Sequence, residues 1–425
     1  METDQQAATI GGTVEPGFEG VRAAFERNFA EHGEVGAGTA LYVGGRKVVD
    51  LWGGWADTEA TTPYGEDTLQ LVFSSTKGPT ALLAHMLAER GELDIDAPVA
   101  EYWPEFAAAG KADVPVRWLL CHKAGLPYVD RPMSLADALG WEAPVEALAA
   151  QAPLWEPGTA HGYHAVTYGW LVGEVIRRVT GRSVGTFLAD EVTGPLGLEF
   201  WLGLPDEQQS RVAPLTNRGV RRRTAAAGAP PTSMEAEEAP TLVDTVEQFL
   251  GPDSLLIKAL GGFVDESGGY GLTADGVFNR EDVRAAELPA ANGVGNARSL
   301  ARLYAAVVGT VEGSDRGPLL SSEQVERARE LQTQGSDNVL ILPTTFGVGF
   351  MTSSAMFPYG GATSFGHTGA GGSVSFADPT NGLGFSYVMN RMHAGLSGDP
   401  RSINLIRAAY EAIGAEAPNL GTPFA

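Results

Sequence analysis

Apolar and polar positions change rhythm several times along the 425 residues. Residues 16–34 carry apolar side chains at helical spacing, and residues 38–57 alternate on either side of Gly44-Gly45, which predicts a helix followed by a β-hairpin. Leu69, Leu71, Val72 and Phe73 read as a short strand. After them Ala81, Leu82, Leu83, Met86 and Leu87 recur at i, i+3 and i+4 until Gly91, predicting a helix over 77–90 with Pro79 in its first turn. A short helix is expected over 116–122, ahead of a glycine-proline loop. Longer ones follow over 134–151 and 163–180, the second amphipathic and closed by Gly181.

Residues 204–288 lose this periodicity. Arg221-Arg222-Arg223, the Ala/Gly/Pro stretch 224–231 and Glu235, Glu237 and Glu238 suggest an exposed insertion of the kind that walls a substrate. Order returns with a helix over 296–309, then strands at 346–351, 364–378 and 382–390 and a last helix over 401–413. Strands at both ends with helices between them predict one sheet assembled from the N- and C-terminal segments. The expected organisation is a discontinuous α/β domain of residues 1–85 and 289–425 and a mostly helical subdomain of residues 86–288, which includes the loop-rich stretch 204–288.

Composition narrows the class. Hydrophobic content of 44% and charged content of 19% fit a folded globular chain. A net charge of −23, from 29 basic against 52 acidic side chains, argues against nucleic acid or an anionic membrane surface as partner. Cys121 is the single cysteine, which excludes an intrachain disulfide and a multi-cysteine zinc site. Residues 1–18 have neither a basic start nor an apolar run, and no stretch approaches about eighteen apolar residues, so the expectation is a soluble, cytoplasmic protein. No metal or organic cofactor is implied.

Candidate chemistry begins at Ser74-Ser75-Thr76-Lys77, where the strand-like run gives way to the helix. This S-x-x-K places a hydroxyl and an amine one helical turn apart on one face, and the first turn adds unpaired N–H groups that can steady an oxyanion. A serine needs such a base, and a lysine serves only when burial or a neighbouring cation lowers its pKa. By itself the tetrapeptide fits equally an N-capping serine before a solvated lysine. Tyr163, at the expected start of the helix over 163–180, is either a packing anchor or a proton relay facing a cleft. His367-Thr368-Gly369 precedes the small residues Ala370, Gly371 and Gly372: either a glycine-rich bend, or a strand edge against which a ligand lies and whose N–H completes an oxyanion hole with that of Ser74. His161 and His164 stand at i, i+3 without an evident third metal ligand, and His122 reads as a cap of the 116–122 helix. The G-x-S-x-G signature is absent.

Taken together, these phrases resemble the serine β-lactamase and penicillin-binding-protein superfamily, most closely its ester-hydrolysing members, the family VIII carboxylesterases. The S-x-x-K falls on Ser74 and Lys77, the second element on Tyr163-His164-Ala165 and the third, usually K-T-G, on His367-Thr368-Gly369. Stretches 119–127, 155–183, 292–306 and 387–392 are similar as well. The resemblance implies a β-lactamase/transpeptidase-like fold of the α/β (α+β) class, a mainly antiparallel sheet flanked by helices with a helical subdomain. It also implies a serine carboxylesterase acting on short-chain esters through an acyl-enzyme on Ser74. Lys77 and Tyr163 would share proton transfer, the N–H groups of Ser74 and Ala370 would hold the oxyanion, and His367, Thr368 and Gly369 would line the substrate. Alanine at 165 and histidine at 367 depart from the usual asparagine and lysine. A mostly neutral histidine holds a substrate carboxylate less well, which weighs against β-lactam turnover and leaves ester cleavage untouched. The alternatives are a β-lactamase or D-Ala-D-Ala peptidase, and an acyltransferase using the same acyl-enzyme.

Overall fold

Segments from the two ends of the chain meet in one antiparallel sheet of nine strands. The computed structural model describes residues 9–220, 222–224, 232–234, 238–395 and 398–416. Arg221, residues 225–231, Glu235 and Glu237 of the predicted insertion, and residues 1–8, lie outside them. The strands are β1 (Ile10–Val14), β2 (Gly36–Val43), β3 (Arg46–Gly54), β4 (Thr333–Ser336), β5 (Pro343–Phe346), β6 (Met351–Thr352), β7 (Phe365–Thr368), β8 (Val374–Asp378) and β9 (Leu383–Met389). Their spatial order is β1-β3-β2-β9-β8-β7-β6-β5-β4, so the pairing of β2 with β9 joins the N-terminal hairpin to the C-terminal meander. The hairpin turns at Gly44 and Gly45, both at positive φ, as a two-residue connection matched to strand twist requires.

Period-two alternation splits the strand side chains between two cores. Ala40 and Tyr42 of β2 face helices α2 (Lys77–Glu89), α3 (Thr167–Thr180) and α4 (Ala297–Val308), whereas Ala37 and Leu41 face α1 (Glu19–Glu31) and α5 (Pro400–Ala412). Helix α4 starts where Asn296 Oδ1 accepts from Ser299 N at 2.9 Å, and α5 starts at Pro400, a first-turn proline. Asn28 of α1 donates from Nδ2 to Arg401 O at 3.1 Å and so ties α1 to α5. The sheet is antiparallel and flanked by helices on both faces, as expected.

Several boundaries differ from the sequence pattern, each for a local reason. The helix expected over 163–180 begins only at Thr167, because Tyr163 N is drawn to Asp337 Oδ1 at 3.0 Å instead of entering a helical turn. The helix expected over 134–151 breaks into Leu135–Leu139 and Glu142–Ala150, with Trp141 at φ +73° in the gap. Residues 346–351 are not one strand: Phe346 pairs with Met351 across a tight turn through Gly347 and Gly349. The insertion 204–288 contains the helices Leu242–Leu250 and Leu255–Gly261. Strand β1, which pairs with β3, had no clear alternation in the sequence. Among the described residues no helix is long and apolar enough to cross a membrane.

Candidate active site

Strand Gln70–Leu71 ends at Val72, and Phe73 then turns the chain at φ +46°. For a phenylalanine this left-handed conformation carries about 1–2 kcal/mol of strain, held by a T-shaped contact with Phe278 at 4.8 Å between ring centroids. The bend feeds a one-turn helix, Phe73–Thr76, which runs directly into α2 with Lys77 as its first residue. Ser74 is half-buried at this junction, and Lys77 is wholly enclosed.

Three groups surround the Lys77 amine. Nζ lies 3.2 Å from Ser74 Oγ and donates to Ala165 O at 2.6 Å and Ala290 O at 3.0 Å. The second carbonyl is fixed because α2 grips its segment: Thr80 Oγ1 donates to Pro289 O at 2.6 Å, and Gly293 N donates to Thr76 Oγ1 at 2.9 Å. The first is fixed by the extended stretch before α3, where Leu126 N donates to His164 Nε2 at 2.9 Å and Thr167 Oγ1 to Leu126 O at 2.7 Å. Among the described residues no carboxylate pairs with the amine, and burial alone pulls its pKa well below the ordinary lysine value.

Tyr163 packs against this amine, with Nζ 4.7 Å from its ring centroid. Burial raises the phenol's pKa above its usual value, while a hydrogen bond with Ser74 pulls it the other way. The phenol is therefore neutral at neutral pH, and not the phenolate that an adjacent ammonium would favour. Asp337 holds the tyrosine's backbone: Oδ1 accepts from Tyr163 N, Val339 N and Leu340 N at 3.0, 2.8 and 2.9 Å, and Oδ2 from Thr344 Oγ1 at 3.1 Å. Nothing in the sequence singled out Asp337, since an aspartate before an apolar run reads as an ordinary turn residue.

Strand β7 closes the other side. Ser75 Oγ donates to His367 O at 3.3 Å and Ser373 Oγ to Val72 O at 2.9 Å, which seats the strand end against the Ser74 turn. Beyond Gly369 the chain makes the turn Ala370–Gly372, with Gly371 at φ +83° and Gly372 at φ +116°. Ala370 opens that turn and Ser74 lies in the first turn of its own, the positions whose N–H groups lack an acceptor within their helix. His367 is buried with Nδ1 2.6 Å from Thr368 O, and among the described residues its Nε2 has no partner. Burial lowers its pKa to about 3, so its ring is neutral. Its ring centroid is 5.9 Å from that of Tyr163.

His122, His161 and His164 serve the scaffold. His122 caps the helix that ends at Leu120, as expected: it takes the left-handed position after the helix at φ +64°, His122 N donates to Leu119 O at 3.4 Å and Lys123 N to Trp118 O at 2.8 Å, and its buried Nδ1 accepts from His164 N at 3.2 Å. His164 engages both ring nitrogens, with Leu126 N and with Gly162 O at 2.7 Å, while His161 Nε2 pairs with Thr344 Oγ1 at 2.9 Å, so the two rings do not converge on a common ligand.

Comparison with known proteins identifies the family. The beta-lactamase family model matches residues 21–409. The chain is 34% identical over 409 residues to the esterase/beta-lactamase LipL of Mycobacterium tuberculosis, covering 91% of this chain and 86% of that protein. A family VIII carboxylesterase superimposes with a TM-score of 0.80 at 37% identity, covering 95% of this chain and 100% of the other. A penicillin-binding-protein homologue from Caulobacter crescentus gives 0.79 at 40% identity, with coverage of 95% and 100%. The chain thus belongs to the beta-lactamase family and is a serine hydrolase of that fold.

Proposed function

We propose that the protein is a carboxylesterase that cleaves short-chain esters through an acyl-enzyme on Ser74. The observation that carries this reading is the buried, unpaired Lys77 amine 3.2 Å from Ser74 Oγ. A neutral amine has two N–H bonds, which the Ala165 and Ala290 carbonyls accept, and one lone pair, which is left for the serine proton. Lys77 is then the general base and the neutral Tyr163 phenol the proton donor.

In the first half-reaction Ser74 Oγ attacks the ester carbonyl as its proton passes to Lys77 Nζ. The oxyanion is held by the N–H groups of Ser74 and Ala370. Collapse breaks the bond to the alcohol oxygen, which takes the Tyr163 proton, and the Lys77 ammonium restores the phenol. Water repeats the sequence on the acyl-enzyme, giving its proton to the same pair, and releases the carboxylic acid and free Ser74. His367, Thr368 and Gly369 line the acyl side. The rings of Tyr163, Phe346 and His367 pack at 5.9 to 6.3 Å and close the inner wall, which favours a short acyl group.

A neutral His367 offers no cation for the carboxylate of a β-lactam or of a peptide C-terminus, which places ester ahead of β-lactam substrates. The resemblance to an esterase/beta-lactamase keeps slow nitrocefin turnover as the second reading. Hydrolysis of p-nitrophenyl butyrate is expected, lost in both Ser74→Ala and Lys77→Ala, with one phosphonate adduct by intact mass, on Ser74. Undiminished turnover in either variant overturns the assignment.

A further inference from the structure

Arg401 lies on the far side of the Ala370–Gly372 turn, in the first turn of α5, and is almost wholly buried at 3% exposure. Each of its five N–H donors is placed. Nε faces Asp399 at 3.1 Å, Nη1 donates to Glu34 Oε1 at 2.9 Å and Arg391 O at 3.0 Å, and Nη2 donates to Asp399 Oδ2 at 2.7 Å and Gly371 O at 2.9 Å. Glu34 takes its other bond from the Tyr387 hydroxyl. His393 N also donates to Gly371 O, at 3.0 Å, so both lone pairs of that carbonyl are engaged. A Cβ on Gly372 would lie 1.9 Å from Asp399 Oδ2, and one on Gly371 would lie 2.4 Å from Met392 Sδ, so the turn is pressed against this charged cluster.

The 371–372 peptide that carries Gly371 O is two peptide units beyond the 369–370 peptide that carries the Ala370 N–H, within the same single turn. Fixing that carbonyl fixes the tilt of the turn, and with it the direction of the Ala370 N–H, which the proposed mechanism assigns to the oxyanion. We propose that Arg401, itself aimed by Glu34 and Asp399, is a positioning residue for the oxyanion hole, locking the Ala370–Gly372 turn through Gly371 O. This rests on the reading of the Ala370 N–H as an oxyanion donor. Arg401 touches no reacting atom, so its effect belongs on the transition state and not on substrate binding.

The experiment compares Arg401→Lys, Asp399→Asn and Ala370→Pro in the full-length protein, with thermal melts to confirm folding. Proline suits position 370, which opens a helical turn after a residue in extended conformation (Gly369, φ −117°, ψ 155°) and is to lose only its N–H. The readouts are kcat and KM on p-nitrophenyl butyrate and the inhibition constant of butylboronic acid, whose tetrahedral adduct places an oxygen in the hole. Arg401→Lys keeps a charge but cannot reach Glu34, Asp399 and Gly371 O together. It is expected to lower kcat by about 30- to 100-fold with KM within about threefold, and to weaken the boronate by the same factor. Asp399→Asn, the milder change, is expected to show the same pattern at about tenfold and reports alone if Arg401→Lys does not fold. Boronate affinity that holds while kcat falls, or a KM rise that absorbs the loss, overturns the positioning role. If Ala370→Pro retains full kcat, the oxyanion reading fails. If Ala370→Pro loses it while the folded Arg401 and Asp399 variants do not, only the role of Arg401 fails.

Discussion

Lys77 and Arg401 are both cationic side chains taken out of water, and the fold treats them in opposite ways. Arg401 receives two carboxylates, Glu34 at 2.9 Å and Asp399 at 2.7 Å, and all of its donors are matched, so it stays charged. Lys77 receives two backbone carbonyls and a serine hydroxyl but, among the described residues, no carboxylate, so burial drives it toward the neutral amine. A paired buried charge holds backbone in place. An unpaired one gives up its proton more readily. In the proposed mechanism that makes Lys77 the base beside Ser74, but the missing carboxylate does not by itself mark a site: buried Lys111 also donates to two backbone carbonyls, Ala108 O at 2.9 Å and Gln151 O at 2.5 Å, and burial lowers its pKa to about 8.

Substituting each cation by an isosteric apolar residue gives the largest contrast. Arg401→Met strands Glu34 and Asp399 in the interior and is expected to remove about 3–5 kcal/mol of stability by denaturant melt, part of which returns when Glu34→Gln and Asp399→Asn are added. Lys77→Met strands no charge. It is expected to stay within about 1–2 kcal/mol of the parent while lowering kcat/KM by about 10³. The pH dependence separates the two further. The unfolded chain carries a protonated Lys77 where the folded one does not, so the unfolded state binds the extra proton and stability rises with pH from the lowered native pKa up to about 10.4. Lys77→Met removes that slope, and its activity counterpart is an acid limb that vanishes as Lys77 is protonated. Equal stability losses in the two methionine variants break the comparison.

Tyr163 sharpens the distinction between base and acid beside the same serine. Because burial keeps its phenol neutral, Tyr163→Phe removes a donor and not a base. The expected loss is about 10²-fold in kcat on an alkyl ester such as ethyl butyrate, with KM little changed. The loss is expected to be several-fold smaller on p-nitrophenyl butyrate, whose leaving group departs without a proton. Equal losses on the two esters return the phenol to the role of base.

How much of this was legible along the chain follows from range. The hairpin at Gly44-Gly45, helix α2 and helix α4 were readable because periodicity, turn glycines and caps are local signals. The approach of Lys77 to Ser74 follows from a spacing of one helical turn, but the tetrapeptide alone fitted a capping serine equally, and its functional reading came from the resemblance of the three motifs together. The carbonyls that receive the lysine, at Ala165 and Ala290, were invisible, since backbone acceptors leave no residue-type signature. Arg401 was likewise invisible: its partner Glu34 is 367 positions away, and an arginine at the start of a helix looks like surface. The helical register at Tyr163 misled for the same reason, because Asp337, 174 positions on, takes its N–H out of the helix.

Asp337 belongs with Arg401 as a charge that holds backbone, and it supplies the smallest expected effect. One of its oxygens accepts three N–H groups, from Tyr163, Val339 and Leu340, so the carbonyl of an asparagine in the same place still satisfies all three. Among the described residues the second oxygen accepts a hydrogen bond from the Thr344 hydroxyl, with His161 Nε2 at 4.0 Å, and that hydroxyl as a rotor can reverse and accept from an asparagine NH2. Asp337→Asn is therefore expected to cost only a few-fold in kcat, measured on ethyl butyrate where the Tyr163 proton matters. Asp337→Ala leaves the three amides without their acceptor and is expected to lose about 1–3 kcal/mol of stability together with most of the tyrosine's contribution. A large loss in the asparagine variant means that the negative charge itself acts on Tyr163, and Asp337 then moves from the group that holds backbone to the group that sets protons.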